Sequence, residues 1–412
     1  MRALTLGFFL SILLTGQGFS ETLSPENLID RVYRQNAELA ASQARAESEA
    51  ALVRVSGALE NPHIGIMREN QMTLMQQQMG PMTSLTISQE LPFPTKLVAR
   101  RAEQRAMALA AEQEHLDRKL EIRERALTTY FELYAAIKIS SLMAAQRETL
   151  REIARVVESK RATGEVPQQD EMKAHVEQTR LESDWLLQQQ VVFEAKEQLK
   201  ALLNQDEEIL PVEGRLPLPR VTLPWEQIEP LYERHSKALA HHESELAAAK
   251  AAASLATMGY LPDLMLTFRK PFANAPPDAY AVELEATIPL WFFARQSGDI
   301  AATRARVRET EQRVANSRRT IKAEARSLVQ KTDSQAKLLS IFESALLPQM
   351  QTTLNSSRTA YSANRVGFQE LLDSERSLSA VRIDYYRTLA SFVGTVTRLE
   401  RIVGTSVTDL PF

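Results

Sequence analysis

The sequence predicts a mainly helical fold with a smaller β part, assembled from two similar halves. The 412 residues are 44% apolar and 25% charged but include only 13 glycines, a composition typical of elongated helical proteins. Apolar residues recur at spacings of three and four over two stretches of about sixty residues, which is the period of an amphipathic helix. Strand-like alternation occurs twice, and each time a long helical pattern follows it.

Prolines end both alternating stretches. In residues 84–101 the alternation stops at Pro92 and Pro94, and in residues 280–293 it stops at Pro289. An Ala/Arg/Glu-rich helical pattern follows each stop. We predict that these three prolines mark two strand-to-helix junctions.

The chain aligns with itself at a spacing of 200 residues, which indicates an internal duplication. We predict a first repeat over residues 21–204, a proline-rich linker over 205–224, a second repeat over 225–404 and a tail over 405–412. Matched positions lie far apart along each half: Pro62 with Pro262, Val166 with Val366, and Leu199 with Leu399.

Each repeat is predicted to contain a helix, two strands and a long helical hairpin. The first helices are expected to be continuous, over 25–57 and 225–258. Pro348 is expected to bend the second long helix, because proline lacks the N–H that the helix needs. The strands are expected near 61–69, 83–91, 262–269 and 280–288, and the coiled-coil hairpins over 95–204 and 298–404, with tips near 164 and 364.

The first twenty residues read as an export signal, with a positive charge at Arg2, an apolar segment and a small-x-small cleavage site. No later segment reaches the length of a transmembrane helix, so any membrane insertion would use strands. A net charge of −3 with interleaved signs gives no footprint for nucleic acid. The absence of cysteine excludes disulfides and thiolate chemistry.

The strand candidates have the length and the two-faced pattern of membrane strands. Eight to ten residues cross a bilayer at a tilt, and the apolar side would face lipid while the polar side faces water. A small soluble sheet would show the same pattern, so periodicity leaves both readings open. Four strands cannot close around a water-filled lumen, and open edges are not tolerated in lipid. The membrane reading therefore requires several chains to share one barrel.

Three motifs in this layout resemble the TolC-like outer-membrane efflux factors of Gram-negative bacteria. They are SQELPFP at 88–94, TGEVPQQD at 163–170 and the run at 346–378. The resemblance implies a homotrimer with a twelve-stranded barrel in outer-membrane lipid and an α-helical tunnel in the periplasm. It also implies two partners, a periplasmic adaptor (membrane fusion) protein and an inner-membrane efflux pump. SQELPFP and a Met-rich loop between the first two predicted strands, residues 67–82, favour the heavy-metal cation branch, although drug exporters share the architecture.

The resemblance also assigns roles at the hairpin tips. Glu370 and Asp373 would line the periplasmic aperture, and Tyr361 would hydrogen-bond an acid on the neighbouring hairpin, for which Asp170 is the candidate. Tip closure and adaptor contact would involve Gly164 and Asp170 in the first tip, with Asn364, Arg365 and Gly367 in the second. Without the resemblance, the same charges read as solvated caps near helix ends.

The sequence contains weaker indications of metal binding or catalysis than of the channel architecture. Adjacent His241 and His242 are expected on different helix faces, so we predict no zinc site there. Catalytic motifs and phosphate loops are missing from the sequence, and we predict neither enzyme activity nor a cofactor. We therefore predict a passive exit channel; the alternative is a periplasmic coiled-coil adaptor or scaffold.

Clustered thioethers bind soft Cu(I) but also occur in flexible loops, which leaves open a metal role for Met67, Met72, Met75, Met79 and Met82.

Overall fold

The computed structural model describes residues 21–69, 81–206, 209–211, 219 and 224–408, and it is mainly helical with a small antiparallel sheet. This confirms the predicted mainly α class. The elements of the first half are β1 (Glu21–Leu23), α1 (Pro25–Gln35), α2 (Ala37–Ser56), β2 (His63–Glu69), β3 (Met82–Leu91), α3 (Pro94–Ala162) and α4 (Gln168–Leu203).

The second half repeats the order of helices, strands and hairpin. A short strand in the predicted linker, β4 (Ile209–Pro211), pairs in parallel with β1 and so joins the two ends of the first half. The remaining elements are β4 (Ile209–Pro211), α5 (Trp225–His235), α6 (Lys237–Thr257), β5 (Asp263–Ala273), β6 (Ala281–Thr287), α7 (Arg295–Ile341), α8 (Leu347–Ser362) and α9 (Phe368–Val403).

The prediction of one continuous helix at the start of each repeat was wrong. The chain leaves the helical conformation at Asn36 and at Ser236, which lie 200 residues apart. Each side chain accepts a hydrogen bond from a backbone N–H three residues later, at Leu39 and Leu239, and so caps a new helix. Asn36 also donates to the carbonyl oxygen of Leu202 at 2.9 Å, which ties the break to the end of α4.

The second long helix is interrupted where the sequence predicts a bend. A π-helical segment, Phe342–Leu346, separates α7 from α8 and ends just before Pro348. A π turn accommodates the missing proline N–H without ending the rod, because it rearranges the neighbouring hydrogen bonds. Helix α7 begins at Arg295, three residues before the predicted start. Helix α3 begins at Pro94, and proline is favoured at this first helical position.

The strands β2, β3, β5 and β6 form one antiparallel sheet in that order, so the sheet combines strands from both halves of the chain. β3 and β5 are the inner pair, and their register places Leu91 opposite Leu264 and Ile87 opposite Phe268. The sheet therefore connects the two halves of the chain, and each inner strand lies next to the start or end of a helix.

Among the residues that the structure describes, three apolar clusters hold the helices together. The largest lies around the middle of α3, where Tyr130 and Phe131 pack with Leu199 of α4 and Val393 of α9. A second cluster lies at the hairpin tips, and a third joins α5, α6, α7 and α9. Within the described parts of the chain, no helix is both long and apolar enough to cross a membrane.

Candidate functional site

The sheet has an apolar face that is open to its surroundings. Strand pairing lines up Ile64, Ile87, Phe268 and Val282 in one row across all four strands. Their exposed fractions are 71%, 38%, 41% and 62%. A continuous exposed row of large apolar side chains is unusual for a face that meets water, and it marks a binding or membrane surface.

The opposite face of the sheet is polar. Arg269 lies 3.8 Å from carboxylate oxygens of both Glu69 and Glu283, on strands at the two edges. Thr86 donates a hydrogen bond to the carbonyl oxygen of Gly65 at 3.0 Å. The sheet thus separates apolar and charged side chains onto two faces, as the alternation in the sequence predicts.

The outer edges of the sheet are β2 and β6, each paired on one side only among the described strands. All seven residues of β6 are exposed. Such edges carry unpaired backbone N–H and C=O groups, which makes them templates for strands of another chain.

The two strand-to-helix junctions differ. At the first junction Pro92 is buried, and α3 begins at Pro94, directly after the strand ends. Lys96 is buried against the start of β5. At the second, Pro289 precedes a turn over 290–294 before α7 begins. This turn exposes a cluster of aromatic side chains, namely Trp291 at 71%, Phe292 at 52% and Phe293 at 64%.

Both hairpin tips use a left-handed residue at the same place. Gly164 has φ +80° and Asn364 has φ 56°, the second value being one that asparagine tolerates better than most residues. The N–H of Glu165 donates to the carbonyl oxygen of Lys160 at 2.8 Å, and that of Arg365 to Ala360 at 2.8 Å. These are matching Schellman turns. Gly367 has an extended backbone instead, with φ −79°.

A lysine joins the two tips, which sequence reasoning missed. Lys160 Nζ donates to Asn364 Oδ1 at 2.5 Å and to the carbonyl oxygen of Tyr361 at 3.2 Å. It also lies 4.6 Å from the centre of the Tyr361 ring. Asn364 in turn donates to Glu165 Oε2 at 3.4 Å. Arg365 is exposed beside this network.

Tyr361 is buried at the tip, but the hydrogen bond to Asp170 suggested by the resemblance is not made within the chain. The ring packs edge-on against Phe368, and its hydroxyl oxygen has no hydrogen-bond partner among the described residues. Burial, followed by the negative charge of Asp170, raises the pKa of Tyr361.

Glu370 and Asp373 are both exposed and lie one turn apart on α9. They line a groove of 540 Å³ between α8 and α9, together with Gly367. Asp373 accepts a hydrogen bond from Gln369 at 3.0 Å and lies 3.7 Å from Arg376. The structure thus places the two predicted aperture acids on one accessible face.

A partly buried ion pair between the hairpins was also missed by the sequence reasoning. Arg376 on α9 donates two hydrogen bonds to Glu177 on α4, one of them at 2.8 Å from Nε to Oε1. This interaction lowers the pKa of Glu177 and raises that of Arg376. The residues lie 199 positions apart, so periodicity within one helix gives no signal for the pair.

Two of the five candidate methionines lie on strands of the sheet. Met67 is on β2 opposite Ser84, and Met82 is on β3 opposite Glu69. The structure also brings one ring nitrogen of each of His241 and His242 within 4.8 Å of a carboxylate oxygen of Glu245, a convergence that the sequence analysis did not predict. The remaining candidates, Met72, Met75 and Met79, lie outside the described residues.

Comparison with solved structures identifies the fold. No protein-family model matches the chain, and no curated protein sequence matches it. The crystal structure of CusC is 18% identical with a TM-score of 0.80, over 93% of this chain and 92% of that chain. A membrane protein from Pseudomonas aeruginosa is 16% identical with a TM-score of 0.82, over 92% of each chain. The Campylobacter jejuni CmeC outer-membrane channel is 14% identical with a TM-score of 0.81, over 92% and 85%. The chain therefore has the fold of the TolC-like outer-membrane channels.

Proposed function

We propose that this chain is one protomer of a trimeric channel-tunnel in the outer membrane of a Gram-negative cell. It gives exported molecules a passive path out of the periplasm and catalyses no reaction. The observation that carries the proposal is the four-stranded sheet with an exposed apolar face, attached to helical hairpins that extend away from it.

Membrane insertion explains the orientation of the side chains on the sheet. The row of Ile64, Ile87, Phe268 and Val282 would face acyl chains, and the Arg269 cluster would face water in a lumen. The exposed aromatic side chains of 291–293 suit the membrane–water interface, where their rings are favoured.

Trimerisation explains the open edges. Unpaired backbone groups cost several kcal/mol each in hydrocarbon, so β2 and β6 require partners in a membrane. If β6 of one chain pairs with β2 of the next, three chains complete a closed barrel of twelve strands. The long hairpins of three chains would then surround one tunnel in the periplasm.

The hairpin tips would be the closing and docking end. Glu370 and Asp373 would form rings of carboxylates around the aperture, and rings of this kind favour cations. Gly164, Asn364, Arg365 and Gly367 lie at the exposed ends of the hairpins, where a periplasmic adaptor driven by an inner-membrane pump would bind. Tyr361 and Asp170 would contribute to closure between hairpins.

Solved structures with this fold include the outer-membrane channels CmeC of Campylobacter jejuni and MtrE of Neisseria gonorrhoeae. We propose efflux for this chain on the same basis, with heavy-metal cations or drugs as the substrate class. The alternative of a periplasmic adaptor accounts less well for a sheet that draws strands from both halves and exposes its apolar face.

Membrane fractionation with oligomer analysis tests the proposal. We expect the exported protein in the outer-membrane fraction, as a trimer by native mass spectrometry in detergent, and as a conducting pore in planar bilayers. A monomer in the soluble periplasmic fraction would contradict the channel and favour the adaptor. Sensitivity of a deletion strain to copper, silver, zinc, cobalt and hydrophobic drugs then separates the two substrate classes.

A further inference from the structure

Two adjacent histidines and a glutamate on α6 converge at one point of the helical wall. One nitrogen of each of His241 and His242 and a carboxylate oxygen of Glu245 lie within 4.8 Å of one another. Their side chains are 23%, 29% and 32% exposed, so the group is half-buried between α6 and its neighbours but still reached by solvent.

The ring of His241 is held in one orientation by a neighbouring helix. Its Nδ1 lies 2.9 Å from the backbone carbonyl oxygen of Ala110 on α3. A carbonyl oxygen only accepts hydrogen bonds, so Nδ1 carries the proton and Nε2 keeps a free electron pair. A second-sphere carbonyl of this kind orients metal-binding histidines in proteins and increases their basicity.

The distances between ligand atoms suit a small metal ion. His241 Nε2 lies 3.6 Å from Glu245 Oε1, and His242 Nδ1 lies 3.0 Å from Glu245 Oε2. Zinc ligands at about 2.0–2.1 Å from a tetrahedral ion are about 3.3 Å from one another. His242 binds through Nδ1 once its proton is on Nε2, the other neutral tautomer. A water molecule would complete the tetrahedral coordination of such an ion.

We propose that His241, His242 and Glu245 form a binding site for a divalent late transition-metal ion, with zinc(II) as the representative ion. Two imidazoles and one carboxylate are the donor set that such ions prefer over magnesium or calcium. The site stands whether or not the chain transports metals, because it rests on the side chains of one helix and the carbonyl that orients them.

A second group of potential ligands provides a comparison within the same chain. Glu158, Glu171 and His175 also lie within 4.8 Å of one another near the first hairpin tip. Glu171 is already engaged by Arg161 at 2.8 Å, and His175 and Glu158 are exposed. With one imidazole and a competing guanidinium, this group serves as the control.

Arg313 on α7 tunes the proposed site. Its Nη1 lies 3.8 Å from Glu245 Oε2, and its Nη2 lies 2.8 Å from Glu309. A guanidinium competes with a metal cation for the carboxylate and repels it. Arg313 keeps Glu309 as a partner when the metal takes Glu245.

Isothermal titration of the purified, chelator-treated full-length protein with zinc chloride tests the proposal. We expect one saturable site per chain that weakens by at least about tenfold in His241→Ala, His242→Ala and Glu245→Gln, since even second-sphere changes have effects of this size. His175→Ala is expected to bind as the unchanged protein does. Arg313→Gln is expected to bind about fivefold more tightly.

Equal zinc binding by the unchanged protein and Glu245→Gln, or no saturable binding, would overturn the proposal. Circular dichroism of each variant establishes that the helices are intact, and Glu245→Gln retains a hydrogen-bonding group for His242. A crystal soaked in zinc gives a second readout. An anomalous peak within bonding distance of His241 Nε2 supports the site, whereas zinc bound only at His175 overturns it.

Discussion

Lys96 and Asp263 form an ion pair that fastens the start of one helix to the start of a strand in the other half of the chain. Lys96 Nζ lies 2.9 Å and 2.8 Å from the two carboxylate oxygens and donates to the carbonyl oxygen of Leu261 at 2.8 Å. The backbone N–H of Phe93 also donates to Asp263, at 3.2 Å. The Lys96 side chain is only 9% exposed. The pair thus ties the first turn of α3 to the start of β5.

Lys96→Met is expected to reduce the free energy of unfolding by about 2 kcal/mol, because it leaves a partly buried carboxylate without its cation. Thermal unfolding followed by circular dichroism measures the change. Adding Asp263→Asn is expected to restore part of the loss, since the unpaired charge is then gone. Lys337→Met removes an exposed pair with Asp333 and is expected to cost less than about 0.5 kcal/mol. Equal losses for Lys96 and Lys337 would contradict this account.

The Glu177–Arg376 pair predicts a pH-dependent stability. The hydrogen bond that Arg376 donates to Glu177 lowers the pKa of Glu177 below its value in the unfolded chain. The stabilisation is therefore fully present above the unfolded value of about 4.3 and is lost as pH falls through the lower native value. The melting temperature of the unchanged protein should exceed that of Glu177→Gln by a constant amount from about pH 6 to 8. Below about pH 4.3 the gap should narrow, and a gap that widens there would refute the assignment.

We expect alanine substitution of two glycines at the hairpin tips to have different effects on stability, because their backbone conformations differ. Gly164→Ala is expected to destabilise the protein by about 1 kcal/mol, because φ +80° is unfavourable for an L-residue. Gly367→Ala is the matched control, since its backbone is extended and an added Cβ meets nothing within 4 Å. It should leave the melting temperature unchanged or raise it slightly. If both substitutions cost the same, backbone conformation is not the cause.

The aperture proposal predicts a change in ion selectivity. Glu370→Gln with Asp373→Asn should reduce the preference of the pore for cations, because neutral amides replace two rings of carboxylates. The reversal potential across a planar bilayer in a potassium chloride gradient measures this. Asp333→Asn neutralises an exposed acid on α7 and is expected to leave the reversal potential unchanged. A shift of the reversal potential of the same size in Asp333→Asn would contradict the assignment of cation selectivity to Glu370 and Asp373.

Local sequence signals predicted the mainly helical fold and its small antiparallel sheet, because hydrophobic period and prolines act over a few residues. The breaks at Asn36 and Ser236 were missed even though both residues are good caps. Such residues also occur inside helices, and here a long-range contact of Asn36 with Leu202 favours the break. The π segment before Pro348 was predicted only as a bend, since sequence does not specify how a helix absorbs a missing donor.

Long-range side-chain pairs account for most of what the sequence did not reveal in the candidate sites. Lys160 with Asn364 and Glu177 with Arg376 join positions about 200 residues apart, which no periodicity within one element encodes. The meeting of His241 with His242 depends on a carbonyl of α3 that turns one ring toward Glu245. Residue types indicated the chemistry at these places, but packing decided which groups meet.

Disulfide trapping between the sheet edges tests the central claim most directly, because the sequence has no cysteine of its own. We would combine Ile66→Cys on β2 with a single cysteine at Val282, Leu284 or Ala286 on β6. Within one chain these edges lie three strand spacings apart, about 14 Å, which is too far for a disulfide. Leu85→Cys replaces Ile66→Cys in the control, since Leu85 lies directly opposite Ile66 but on an inner strand. We predict covalent trimers on non-reducing gels for at least one β2–β6 combination and none with Leu85→Cys. Monomers in every combination, or equal linking in the control, would contradict the shared barrel.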